Sequence, residues 1–146
     1  MMTLQGPNGN RALNQHQQEL IWKKLLAAGP YPVEAFAFVR EGLNYAVEHV
    51  HEDVELLDEA DRHITGQELC IGLRDLAIET YGLLAPVVLE HWNVKRTNDF
   101  GQIVFAMIDA GLMTRTSSDS LEDFQAVYDF EDAFNREVLL SRIGAG

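Results

Sequence analysis

Apolar residues recur at helical spacing along most of this chain. From His63 to Gly82 (HITGQELCIGLRDLAIETYG), Leu69, Leu73, Leu76, Ala77 and Thr80 fall on one face, with Ile71, Ile78 and Tyr81 on a second and Arg74 between them. A helix apolar on two faces is buried between partners, so the pattern predicts this helix at the centre of the fold. Thr65-Gly66-Gln67-Glu68 supplies its start: a hydroxyl and, three residues on, a carboxylate can each accept from a backbone N–H left open at a helix N-terminus. Gly82 supplies its stop. Gly72 in the interior costs about 0.5–1 kcal/mol against Ala, which predicts close approach by another helix. Gly42, in the preceding segment, predicts the same.

The rest of the chain takes its elements from the same signals. Residues 1–12 read as a flexible N-terminus, with a single mainly helical domain over 13–146. Asn14 caps a first helix whose stripe is Leu20, Ile21, Leu25 and Leu26, ended by Gly29. Gly29-Pro30-Tyr31-Pro32 breaks the chain, and Pro32 opens a second helix with Phe36, Val39, Leu43, Ala46 and Val50 inward. Residues 51–62 form an acidic segment, read as a linker with partial helix. After the central helix, Leu83 to Trp92 predicts a short helix with Leu84, Val87, Val88 and Trp92 inward and Asn93 as a left-handed cap. Thr97 caps the next helix, with Asp99 in its first turn; Phe100, Ile103, Val104, Met107 and Ile108 form its core face, and Gly111 ends it.

Then the period changes. Leu112 to Thr116 reads as a short strand and Ser117 to Ser120 as a turn. Phe124, Ala126, Tyr128 and Phe130 alternate with polar or smaller residues, which predicts a hairpin over 112–130. Glu131 to Arg142 returns to helix, with Phe134, Val138 and Leu139 inward. The expected fold is therefore mainly α (α+β): a multi-helix domain with a small C-terminal β-hairpin. Three short helices and a hairpin is the element order of a winged helix, an analogy that does not fix function.

At 146 residues the chain can bury roughly 68–70% of its unfolded surface in one core. Charge changes the picture more. Eleven Lys and Arg against 23 Asp and Glu leave a formal net charge of −12. Eight acids lie between Glu41 and His63 with Arg62 as the only cation, and eight more follow Gly101 against three arginines. Such a surface repels phosphate backbones and acidic membranes and suits a basic partner. Cys70 is the only cysteine, which excludes an internal disulfide and a cysteine-based zinc site. The start, MMTLQGPNGNR, has no signal-peptide pattern and no apolar run has membrane-spanning length, so a cytoplasmic protein is expected.

Candidate chemistry is sparse. His49, His51 and His63 with Glu59 and Asp61 have no recognised metal-ligand spacing, and ordinary surface histidines explain them. Cys70 on an apolar helix reads as a small buried hydrophobe rather than a nucleophile. There is no phosphate-cradling glycine loop and no serine elbow. Lys95-Arg96 and Lys23-Lys24 are the compact basic spots. In the winged-helix reading Thr97 to Gly111 would be the recognition helix, yet it carries two acids and no Lys or Arg. Arg74, on a half-apolar face, needs a carboxylate, and Asp75, Asp99 and Asp129 are the candidates for a buried ion pair. The sharper alternative places Arg74 in a cleft for an anionic ligand.

Phe38-Val39-Arg40-Glu41-Gly42-Leu43, His63 to Leu69, Gly72 to Ala77, Trp92 to Phe105 and Tyr128-Asp129-Phe130 together resemble an uncharacterised bacterial family largely restricted to Planctomycetes and Verrucomicrobia. The likeness spans about Tyr31 to Phe134. It departs at Asn93, where the family pattern has Gly; both residues tolerate the left-handed cap. The resemblance implies a cytoplasmic bacterial protein of one domain, and no activity. The reading that fits best is a non-enzymatic intracellular protein–protein interaction module with an acidic surface and no cofactor, a homodimer being one form of it. The alternative is a winged-helix-like nucleic-acid-binding or transcription accessory protein, and an enzyme with an unrecognised site comes third.

Overall fold

In a computed structural model that describes residues 3–4, 14–50 and 63–143, the central helix, α3, runs from Gly66 to Tyr81. Its start is the predicted one. Thr65 Oγ1 accepts from the Glu68 N–H at 3.1 Å, and the Glu68 carboxylate accepts from the Thr65 N–H at 2.9 Å. Before it come α1 (Gln15–Leu26) and α2 (Val33–Val50); after it a 3-10 turn at Gly82–Leu84, α4 (Ala85–His91) and α5 (Thr97–Asp109). A second 3-10 turn at Leu121–Phe124 leads to α6 (Phe130–Phe134) and α7 (Arg136–Ile143). The chain is mainly helical, as its periodicity predicts. The acidic segment 51–62 and most of residues 1–12 lie outside the described residues.

The largest contact in the fold is between α2 and α3. Phe38 meets Tyr81 at one end and Ala46 meets Gly72 at the other, so the two helices run antiparallel. A Cβ on Gly72 would lie 2.9 Å from Ala46 Cβ and 3.3 Å from its Cα, against backbone that cannot turn aside. On Gly42 it would run into the Leu73 side chain. Both glycines thus mark the close helix contact that their positions predict. α5 crosses this pair and buries Phe100, Ile103, Val104 and Met107. Phe124 then wedges between α3 and α5, in a slot that a Cβ on Gly101 would close at 2.9 Å.

Several expectations need correction. There is no hairpin over 112–130 among the described residues. Met113–Thr114 is a strand, β2, but it pairs antiparallel with β1 (Thr3–Leu4), within the stretch expected to be flexible. The 124–130 half is not a strand, because its backbone is used differently. Thr97 Oγ1 donates to the Phe124 carbonyl (2.7 Å) and accepts from the Val127 N–H (3.2 Å), and Ala126 sits at φ 48°. A positive φ ends an extended run. The last helix is two, broken at Asn135, whose side chain accepts from the Val138 N–H at 2.8 Å.

The phase of α4 also differs from expectation. Ala85, Leu89 and Trp92 are buried, while Leu84 and Val87 are 61% and 60% exposed. Gly82, at φ 56°, ends α3 as predicted, and the 3-10 turn that follows turns α4 relative to a continuous helix. On α3 Ile71 is exposed, and on α1 only Leu25 is buried. Asn93 takes the predicted positive φ, 63°.

Gly72→Val should destabilise the protein by about 1–3 kcal/mol through overpacking of the α2–α3 contact, despite the better helix propensity of most residues over Gly. Urea unfolding followed by circular dichroism measures this; an unchanged midpoint would refute the close-contact account.

Candidate functional site

Arg74 and Asp75 lie half-buried at the edge of the core. Arg74 Nε donates to Asp75 Oδ1 at 3.0 Å, and Arg142 Nη2, from α7, donates to the same oxygen at 2.9 Å. The Arg74 guanidinium carbon lies 6.0 Å from the centre of the Tyr128 ring, within cation–π range. The side chains of Arg74 and Asp75 are 30% and 26% exposed. The pair is therefore wet, not sealed in the core, and pairs of this kind contribute about 0–1 kcal/mol. Its effect is to tie α7 onto α3.

Of the four ion-pair candidates, the structure brings together only Arg74 and Asp75. Asp99 lies elsewhere: Oδ1 accepts from the Tyr31 hydroxyl at 2.6 Å, and Oδ2 accepts from the backbone N–H groups of Lys95 (2.8 Å) and Arg96 (3.1 Å). Burial first, then the Asp99 carboxylate, pushes the Tyr31 hydroxyl well above its ordinary pKa. Asp129 accepts from the Glu131 N–H at 2.8 Å and starts α6. Sequence reasoning missed Arg142. Its spacing carries no signal of this role, because its partner is 67 residues away.

An open groove of about 720 Å³ lies where α5 begins, lined by Lys95, Arg96, Asn98, Tyr128, Asp129 and Glu131 among others. Two features limit what it can do. The N–H groups that lead into α5 already face the Asp99 carboxylate, which neutralises the anion-attracting end of the helix. Lys95 and Arg96 stand beside Asp129 and Glu131, so the lining has no net charge. Thr97 does not cap α5; Arg96 occupies the cap position and Thr97 is fully buried. Its hydroxyl instead bolts residues 124–127 to the helix, as described above. This role was not legible in the sequence, since a Thr at a helix start reads as a cap.

Cys70 is fully buried, and burial pushes its thiol up to about 12. Its carbonyl accepts from the Tyr128 hydroxyl at 2.8 Å. The thiolate needed for nucleophilic chemistry is therefore strongly disfavoured. His49 stacks on Tyr45 with ring centres 3.9 Å apart, its Nδ1 2.8 Å from the Tyr45 carbonyl. The Tyr45 hydroxyl donates to Glu79 at 2.9 Å, and its pKa rises to about 12, through burial first and that bond second. His51, Glu59 and Asp61 of the conjectured metal constellation lie outside the described residues. Among the described residues no group of three or more His, Cys, Asp or Glu is placed to hold a metal. No family model, curated protein or solved structure matches the chain.

Two outcomes test this arrangement. Thr97→Val should cost about 1–3 kcal/mol, because it leaves the Phe124 carbonyl and Val127 N–H without their partner; denaturant unfolding reads the loss. The raised thiol pKa means the folded state holds this proton more tightly than the unfolded chain. Its stabilising contribution is whole below the unfolded thiol's range, about 8.5, and is lost as pH climbs towards about 12. Cys70→Ala should flatten the fall of the urea midpoint between about pH 8.5 and 10. In the wild type, a thiol reagent at neutral pH should label Cys70 only after urea is added.

Proposed function

We propose that this chain is a non-enzymatic intracellular interaction module whose partner, at the face described next, is a second copy of itself. The observation that carries the reading is an apolar face where the first 3-10 turn, α4 and α7 adjoin. Leu83, Leu84 and Val87 are exposed on the turn and α4, Leu140 and Ile143 are exposed on α7, and the turn packs against both helices. Monomers rarely leave contiguous apolar patches larger than a few hundred Å². Charge favours a copy of the same chain at this place. α4 and α7 together carry Arg136 and Arg142 against Glu90 and Glu137, so the face is locally balanced while the molecule as a whole is at −12. Two like-charged copies repel least where local charge cancels, and a self-complementary two-fold contact lets Leu140 and Ile143 meet their own counterparts.

The groups that could do chemistry support the non-enzymatic half. Cys70 is buried, Thr97 holds a backbone turn, and Asp75, Asp99 and Asp129 all accept structural hydrogen bonds. The family resemblance is part of the proposal and adds no activity to it. The winged-helix alternative draws less support. α5 packs against α1, α2 and the second 3-10 turn rather than standing free, and the basic pair before it faces two acids.

Light-scattering chromatography should give twice the chain mass. The double change Leu84→Asp with Val87→Asp should return a monomer whose far-UV dichroism is unaltered. A wild-type protein that stays monomeric at every concentration tested rejects self-association.

A further inference from the structure

The groove at the start of α5 holds charges of both signs that do not meet. Lys95 and Arg96 stand on the wall that leads into α5, and Asp129 and Glu131 on the wall that starts α6. Among the described residues no ion pair joins the two walls. Both walls are held by their own hydrogen bonds. Asp99 fixes the backbone N–H groups of Lys95 and Arg96, and Asp129 accepts from the Glu131 N–H. Thr97 bonds to the Phe124 carbonyl and the Val127 N–H, which ties the second wall to the first. Between those two anchors sits Ala126, a lining residue, at φ 48°. A residue with a side chain keeps a positive φ only where its surroundings enforce it, and such residues cluster at ligand sites.

At about 720 Å³ the groove has the size of a small-ligand site. Its apolar part is Tyr128 and Phe130, two half-buried rings stacked with centres 5.8 Å apart. The Tyr128 hydroxyl is already bonded to the Cys70 carbonyl, so this residue offers its ring rather than a polar group. These parts select a ligand. A phosphate chain would meet two carboxylates, and a plain cation would meet Lys95 and Arg96. A wholly apolar molecule would strip water from four charges. A zwitterion gains from both walls, because its carboxylate and its ammonium each form charge-assisted hydrogen bonds. We infer that the groove binds a zwitterion with an apolar side chain, either a free amino acid or a short peptide with free ends. Its carboxylate meets Lys95 and Arg96, its ammonium meets Asp129 and Glu131, and its side chain lies on Tyr128 and Phe130. Walls that are already fixed lower the ordering cost of binding. The groove shares no lining residue with the α4–α7 face and does not depend on self-association.

The test titrates the isotope-labelled full chain with phenylalanine and with dialanylphenylalanine, and follows the amide resonances of Lys95, Gln125 and Ala126 by NMR. At least one of the two should shift them to saturation; phenylalanine alone assigns a free amino acid, and dialanylphenylalanine alone assigns a peptide. The N-acetylated form of the ligand lacks the ammonium and its amide form lacks the carboxylate. Each should bind about tenfold more weakly than the parent. Arg96 and Glu131 are both exposed, so their replacement leaves the core intact. Glu131→Gln should weaken the zwitterion about tenfold and leave the N-acetylated form unchanged, since that form has no ammonium for Glu131 to hold. Arg96→Gln should weaken both. The inference is overturned if neither zwitterion moves these resonances, if a blocked form binds as tightly as its parent, or if Glu131→Gln affects the zwitterion and its N-acetylated form alike.

Discussion

The approach of α2 to α3 at Gly72 and Ala46 is the constraint on which the other contacts depend. With no side chain at Gly72, the two longest described helices lie close enough for Leu69, Leu73, Leu76 and Ala77 to reach Val39, Leu43 and Ala46 across a thin, dry seam. Gly costs helix stability, and the seam offsets that cost with dispersion contacts that a wider spacing would lose. α5 then has a fixed surface to cross. Phe124 in turn finds a slot beside Gly101, so the irregular stretch after β2 is positioned by the helices rather than by pairing of its own.

Polar side chains in this fold mostly serve the backbone. Asp99 accepts from two main-chain N–H groups, and Asp129, Thr65 and Glu68 each satisfy a helix start. Thr97 replaces a strand ladder with two hydrogen bonds from one hydroxyl. Groups committed in this way keep buried N–H and C=O from going unsatisfied, and the same commitment removes them from chemistry. Asp99, Asp129, Thr65, Glu68 and Thr97 therefore staple the fold.

The surface is divided by charge. Most of the molecule is acidic, the α4–α7 face is balanced, and α1 is basic.

The sequence by itself determined the helical class, the capping box at Thr65, the stops at Gly82 and Asn93, and the close contact at Gly42 and Gly72. These are local properties, fixed by spacing, by a side chain that can reach its own backbone, or by the absence of a Cβ. It did not determine the partners. Alternation from Phe124 to Phe130 reads as a strand, but a strand needs free backbone groups, and Thr97, 27 residues away, holds the Phe124 carbonyl. Arg74 needed a carboxylate, and Asp75, Asp99 and Asp129 were equal candidates until folding placed two of them against main-chain N–H groups and brought Arg142 to the remaining one. Which face of α4 turns inward was settled by the 3-10 turn after Gly82, a shift in phase that periodicity within the helix cannot register. Pairings across long sequence separations are set by how the helices stack, and only the tertiary structure supplies that.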